Sequence, residues 1–400
     1  MPGAADTTTI AGDVRVRTPD LSDAGLRRVT DALAALADGN DRAEAFPDAS
    51  IGIVHEAGLL TYGVSPELGG ALEPTITDTA RIMRAVGQGD PSVALLTAMT
   101  VAQHLVHAAS DVFPAELYAG IVAESQHRPV LLNAIRAEPE LGAPARGGLP
   151  KTKVRRTENG WVVSGHKAYG TGSEGLAYHL VWAATEDDEP LQGHVIVPGD
   201  HPGIEVIRTW DHLGMRATST HDVVYHDIEV PLEHFKGEPL VPGSLVGGGS
   251  RRQGNLAAVG LAVTAIYVGV ARAAQEFFTR FAHERVPGAL GRPIAQTERI
   301  QSIAGEIDAQ LFQAEELLLG VARRADEGDP AAAAQAPFVK LLATRSAVTA
   351  VQTAVQALGN PALSRHHPLE RHLRDVLCCR IHPPQDDMAL IFLGKRSLGL

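Results

Sequence analysis

The chain has 400 residues, 44% of them apolar, and a formal net charge of −12 from 35 basic against 47 acidic residues. That length and apolar content support two or three units with their own cores and exclude a disordered chain. The acidic balance, without any basic stripe, excludes a nucleic-acid or anionic-membrane partner, and the only cysteines, Cys378 and Cys379, are adjacent in sequence, which excludes a disulfide framework and points to a reducing cytoplasm.

The opening stretch MPGAADTTTIAGDVRV lacks the charged and apolar regions of a signal peptide and reads as a short disordered leader. Ser22 can cap a first helix, with Leu26, Val29, Leu33 and Leu36 at helical spacing until Gly39. Further helices are expected over about 46–56, from Ile76 to the break at GQGDP, and from Ser92 onward, which makes residues 1–128 an all-helical unit. From 129 to 242 the pattern becomes short β-branched or aromatic runs between glycine, proline and charged turns. Strands are expected at 130–135, 153–157, 160–163, 179–184, 193–197, 204–207 and 222–225. With no helices between them, they imply an antiparallel sandwich or barrel and not a doubly wound parallel sheet. Residues 243–400 return to long helices, over 256–285, 300–326 and 338–358, with a fourth at about 368–381, forming an up-down bundle. The apolar run 256–271 falls short of the roughly 20 residues of a membrane span. The glycine-rich run GSLVGGGSRRQG at 243–254 reads as a linker into the bundle.

No GxGxxG opens a helix and no GxxxxGK[ST] is present, so neither a nicotinamide dinucleotide site nor a P-loop is expected. Four histidines, His366, His367, His372 and His382, crowd the C-terminal stretch HHPLERHLRDVLCCRIHPPQDD, but their spacing is not that of a helix-face metal pair, and no metal site is expected.

The order helical unit, β unit, helical bundle resembles the acyl-CoA dehydrogenase superfamily, and several motifs carry that resemblance. RAEPELG (136–142) resembles the flavin-contact loop TEPGAGSD, placing Ala137 and Gly142 at contact positions. WVVSGHKAYGTGSEG resembles W-x-L-N-G-x-K-x-W-I-T-N, placing Tyr169 at the tryptophan, Thr171 at the threonine beside the flavin ring and Ser173 just beyond. A strand ending in the turn at 170–175 lets backbone and hydroxyls approach a planar heterocycle. TWDHLGMRATSTHDVVYHDIEVP resembles the closing β motif, and its Trp210 and Asp211 are most like the class D two-component flavin-dependent monooxygenases. In the bundle, Arg285 stands where an arginine of one subunit reaches the flavin phosphate of another, and Gln356 and Gly359 occupy further flavin-contact positions. Arg371, Arg374 and Asp375 match the family's structural ion-pair helix.

The family's catalytic glutamate aligns with Pro383, which cannot accept a proton, and the alternative base position aligns with Val259 or Gly260. The resemblance therefore implies a homotetrameric monooxygenase. It would use reduced flavin, FAD or FMN, from a separate reductase, and O2 through a C4a-hydroperoxide, to oxygenate a small substrate at carbon, nitrogen or sulfur. Asn133, Ser173 and His382 would serve the reaction, and Trp210 would wall the substrate pocket. Two alternatives stay open: an acyl-CoA or acyl-carrier-protein dehydrogenase whose base is Glu138, Glu174 or Asp387, and a non-catalytic binding or assembly protein.

Overall fold

The computed structural model describes residues 15–141, 149–239 and 250–400, the side chains of 250–257 excepted. Residues 1–14 of the expected leader, Gly142 and most of the glycine-rich run at 243–254 lie outside the described residues, whereas Val16, at the leader's end, is buried and donates its amide to the Gly69 carbonyl at 3.0 Å, not disordered as expected.

The first helix, α1 (Asp23–Ala43), starts at Ser22, whose hydroxyl accepts the Gly25 amide at 3.1 Å. It runs past Gly39 and stops where Glu44 turns left-handed at φ 51°. Next come α2 (Asp48–Glu56), α3 (Ile76–Gly89) and α4 (Pro91–Ser110), the last capped by the Asp90 carboxylate on the amides of Ser92 and Val93 at 2.9 and 3.4 Å. A helix that periodicity did not announce, α5 (Ala115–Glu124), buries Tyr118, Ile121 and Val122 against the sheet. Ten residues give too few turns for its stripe to stand out.

The sheet comprises β1 (Leu131–Ile135), β2 (Lys153–Arg156), β3 (Gly160–Gly170), β4 (Leu176–Thr185), β5 (Leu191–Pro198), β6 (Ile204–Ile207), β7 (His221–Pro231) and β8 (Glu238–Pro239). Its order is β6-β7-β3-β2-β4-β5-β8, with β1 also on β4. Most pairs are antiparallel, as expected, and within that sheet β1 and β2 both run parallel to β4. The β2–β3 hairpin between β1 and β4 supplies the long connection a parallel pair requires.

The chain ends in α6 (Ser250–Glu284), α7 (Glu298–Asp326) and α8 (Ala336–Leu358), the short α9 (Asn360–Leu363), then α10 (Leu369–Leu377), which tightens into a 3-10 turn over Cys378–Arg380. Beyond the four expected helices lies α11 (Asp386–Leu398). Both α4 and the Ala258–Glu284 part of α6 are long and apolar enough to cross a membrane, yet each is mostly buried inside the protein. A Cβ on Gly269 would lie 2.2 Å from the Arg84 carbonyl oxygen and one on Gly87 2.6 Å from that of Ile266, so α3 and α6 meet backbone to backbone. One apolar core runs through all three regions, joining Leu33 and Met83 to Val163 and Val223 and on to Ile266 and Val351.

The three regions also meet at a polar cleft of about 270 Å³ lined by Asp38, Asp41, Glu44 and Glu370 with Arg42, Arg216, Arg365 and Arg374. Arg374 there forks onto Asp41 at 2.6 and 2.9 Å and onto Glu370 at 2.8 Å, while Arg216 pairs with Glu44. The loop carrying Arg216 is thereby held between α1 and α10.

Candidate active site

Strand β3 ends in the turn at 170–175, and β1 and the segment 215–220 hold that turn. Tyr169, just before it, is left-handed at φ 57° and leaves its ring 64% exposed. A bulky residue pays strain to sit there, which marks the position as one that presents a surface. From β1, the buried Asn133 donates its side-chain N–H to the Thr171 carbonyl oxygen at 2.9 Å. From the segment 215–220, which contains a 3-10 turn over Arg216–Thr218, the Thr218 carbonyl accepts the Gly172 amide at 2.9 Å. The Ser219 carbonyl accepts both the Ser173 amide at 3.0 Å and the Ser173 hydroxyl at 2.8 Å. Ser173 is thus buried and committed to the turn, and Asn133 to its backbone.

The segment is anchored in turn. Trp210 donates its indole N–H to the Met215 carbonyl at 3.0 Å and stacks on His212 with ring centroids 3.6 Å apart and 10° between planes. The Met215 amide donates to the buried Asp375 carboxylate of α10 at 2.8 Å. A Cβ on Gly214 would lie 2.5 Å from the Arg374 carbonyl oxygen, so only glycine lets this loop reach the bundle. Asn133, Thr171, Ser173 and Trp210 are therefore gathered around one turn and one loop.

Two acids near the turn are fully occupied. Glu138 accepts from Lys167 Nζ at 2.7 Å, from the Thr152 hydroxyl at 2.7 Å, and from the amides of Thr152 and Lys151 at 2.9 and 2.7 Å. Although burial pushes the other way, these bonds hold its pKa below the ordinary carboxylate value. The neighbouring Ala137 carbonyl accepts the Ala168 amide at 2.9 Å. Glu174 pairs with Arg208 at 2.6 Å and accepts the Ser219 hydroxyl at 3.0 Å.

His382 lies elsewhere on the bundle. Its ring faces that of Tyr267 on α6 at 5.8 Å, and burial, helped by nearby Lys340, pushes its pKa down to about 4. Its side chain makes no hydrogen bond to another described residue. Arg285, Gln356 and Gly359 are exposed, following or ending α6 and α8, with Phe277 and Phe281 of α6 flanking the His367 ring at the same end. Along α6 that end is about 27 Å from Tyr267. Val259 and Gly260 are half-buried on α6, and a Cβ on Gly260 would meet no atom within 4 Å. Among the described residues no cluster of three His, Cys, Asp or Glu is placed to hold a metal.

Sequence reading passed over Thr218, Thr220 and Asp375 as parts of this site. The hydroxyl run ATST after LGMR was the available signal, and only the folded contact between 215–220 and 170–175 gives it meaning.

A three-part helical, antiparallel-rich and helical fold defines the class. Family models agree: residues 134–228 match the acyl-CoA dehydrogenase middle domain and 248–398 its C-terminal domain. The putative acyl-CoA dehydrogenase YdbM of Bacillus subtilis (strain 168) is 30% identical over 376 residues, 92% of this chain and 94% of that one. The chain belongs to the acyl-CoA dehydrogenase family. Solved structures with the same fold include FMN-bound TdsC, a dibenzothiophene monooxygenase from Paenibacillus sp. A11-2, with a TM-score of 0.81 at 22% identity, covering 94% of this chain and 96% of that one. Butyryl-CoA dehydrogenase from Megasphaera elsdenii matches with a TM-score of 0.80 at 20% identity, covering 96% and 100%.

Proposed function

We propose that the protein is a flavin-dependent monooxygenase built on the acyl-CoA dehydrogenase fold. The observation that carries this reading is the loss of the proton-abstracting carboxylate. Pro383 stands in its place, Val259 and Gly260 stand at the alternative position, and Glu138 and Glu174 are consumed by Lys167 and Arg208.

The turn suits a flavin ring: the exposed aromatic face of Tyr169 and the half-buried hydroxyl of Thr171 offer a stacking surface and a polar edge side by side. Bound there, reduced flavin supplies two electrons to O2, so that one oxygen atom enters the substrate and the other leaves as water. Tyr169 and Thr171 hold the ring, Asn133 and Ser173 fix the turn from beneath, and Trp210 with His212 walls the loop side. The proton exchange with the substrate or its oxygen donor is assigned to His382 from its place beside Pro383 in the family resemblance alone, since no described contact joins it to the turn. The absence of a GxGxxG site fits electrons arriving with flavin from a separate reductase, FAD and FMN both serving.

Arg285, Gln356 and Gly359 are exposed at the ends of α6 and α8, an arrangement that suits a neighbouring subunit's flavin. Exposed Phe312, Phe338, Leu342, Leu390, Ile391 and Phe392 on α7, α8 and α11 give a homotetramer its contact surface. The two unpaired, buried thiols are at home in the cytoplasm.

A dehydrogenase remains the second reading, favoured by the 30% identity to a putative acyl-CoA dehydrogenase. Of the three acids considered as its base, Glu138 and Glu174 are engaged as described, and Asp387 is exposed in the first turn of α11. Incubation with FMN, a flavin reductase, 18O2 and a panel of amines, sulfides and aromatics tests the proposal by product mass. One 18O in the product supports it, and no labelled product from any of them counts against it.

A further inference from the structure

Of Asn133, Ser173 and His382, the three side chains that the family resemblance brings to the reaction, only His382 has no hydrogen bond to set its orientation. Asn133 and Ser173 are tied to backbone carbonyls at 2.9 and 2.8 Å. The half-buried His382 follows the 3-10 turn over Cys378–Arg380 and precedes Pro383, and its imidazole bonds to no other described residue. What it does meet is one ring. Tyr267, 1% exposed on α6 and part of the continuous core, has its ring centroid 5.8 Å from that of His382, with 40° between the planes.

Orientation matters for a histidine that moves one proton. Its two ring nitrogens lie on different edges, and rotation about the Cβ–ring bond, a broad torsion with two wells, exchanges the edge that faces a given atom. A hydrogen bond on the second nitrogen usually fixes the choice. Neither polar neighbour of His382 supplies one. Lys340 of α8, 4% exposed, acts on the imidazole through its charge but gives its Nζ to Asp386 at 3.3 Å. The Tyr267 hydroxyl has no partner among the described residues. That hydroxyl holds nothing, and the Tyr267 ring, rigid because the close-packed core encloses it, is the restraint that remains.

We infer that Tyr267 is a positioning residue whose ring, and not its hydroxyl, sets the plane of the His382 imidazole and so decides which nitrogen meets the reacting atoms. The inference rests on the role given to His382 in the monooxygenase reading. A smaller or more flexible side chain at 267 leaves the imidazole free to rotate, and a misplacement of about 1 Å is enough to cost about 100-fold in rate.

The test measures kcat and KM in the reductase-coupled assay, on the full chain, with the amine, sulfide or aromatic that gives 18O-labelled product. The proteins are wild type, Tyr267→Phe, Tyr267→Leu, His382→Ala and the double variant Tyr267→Leu/His382→Ala. Tyr267→Leu is expected to lower kcat about tenfold or more with KM within about twofold, while Tyr267→Phe, which keeps the ring, retains the wild-type values. The double variant should be no slower than His382→Ala, because a residue that acts through His382 then has nothing left to position. A merely structural Tyr267 would lower kcat by the same factor in both backgrounds, and that result overturns the inference. Wild-type kcat in Tyr267→Leu, or an equal loss in Tyr267→Phe, overturns it while leaving the monooxygenase reading intact. If Tyr267→Leu does not fold, Tyr267→Met is judged in its place by the same outcomes. Wild-type turnover in His382→Ala removes the role of His382 and the inference with it, and a wild type without labelled product overturns the monooxygenase reading as well.

Discussion

The Met215 amide donates to the Asp375 carboxylate at 2.8 Å, and this bond is where the loop that supports the turn is fastened to the bundle. Asp375 is 3% exposed, and burial pushes its pKa up to about 7, against the opposing pull of Arg371. An acid whose folded pKa is raised adds stability that is complete below its unfolded value and is lost as pH rises through the folded one. Asp375→Asn removes the ionisation and keeps an acceptor for Met215. Its stability relative to wild type should therefore improve from pH 5 to pH 8 by on the order of a few kcal/mol, measured by thermal unfolding of both proteins at the two pH values. A difference independent of pH would count against a buried, raised carboxyl.

The buried histidines act in the opposite sense. Burial holds His104 and His372 down at about 3 and His179 at about 4. With folded values below the unfolded 6.5, they contribute stability that is present above pH 6.5 and lost as pH falls toward 4. At pH 5 each unfolded imidazole gains about 2 kcal/mol by protonating, which in sum outweighs Asp375. The urea midpoint should fall clearly between pH 7.5 and pH 5, and a midpoint that holds or rises over this range would contradict the assignment.

Glu138 and Lys167 form an ion pair whose side chains are 2% and 0% exposed. Removing one partner strands the other, so Glu138→Gln should cost about 3–5 kcal/mol. The double variant Glu138→Gln/Lys167→Met should cost less than the sum of the singles. Denaturant titration of the four proteins measures this; strict additivity would mean that the two groups do not interact.

Much of this architecture could be read from the chain. Strands β1 to β7 follow β-branched runs bounded by turn residues, and α6 to α8 follow apolar spacing, because burial on one face leaves a period in the sequence. What leaves no period was not legible. The parallel partners of β4 depend on a crossover, not on local pattern. In α11 Leu390, Ile391 and Phe392 are consecutive and exposed, so no stripe forms. Within the site, the turn at 170–175 could be read from its glycines and hydroxyls, whereas Thr218, Thr220 and Asp375 acquire meaning only through their contacts with Gly172, Thr171 and Met215, far apart in sequence. His382 was legible as a histidine beside the missing base, but not its place against Tyr267.

His382 is held neutral and has no structural hydrogen bond among the described residues, so His382→Ala should leave the melting temperature within a degree or two while product formation falls about 100-fold or more. With the pKa at about 4, rates should show no inflection near pH 6.5 from this group. Unchanged turnover in the variant, measured with the reductase-coupled assay, would remove it from the reaction.

The central claim, that this site adds oxygen and does not abstract an α-proton, is tested most directly by titrating the flavin-loaded protein with butyryl-CoA and longer acyl-CoA thioesters in the absence of O2. With Pro383 in the place of the base, the oxidised flavin absorbance should remain unchanged. Bleaching of the flavin by any of these thioesters would show a working base and contradict the account.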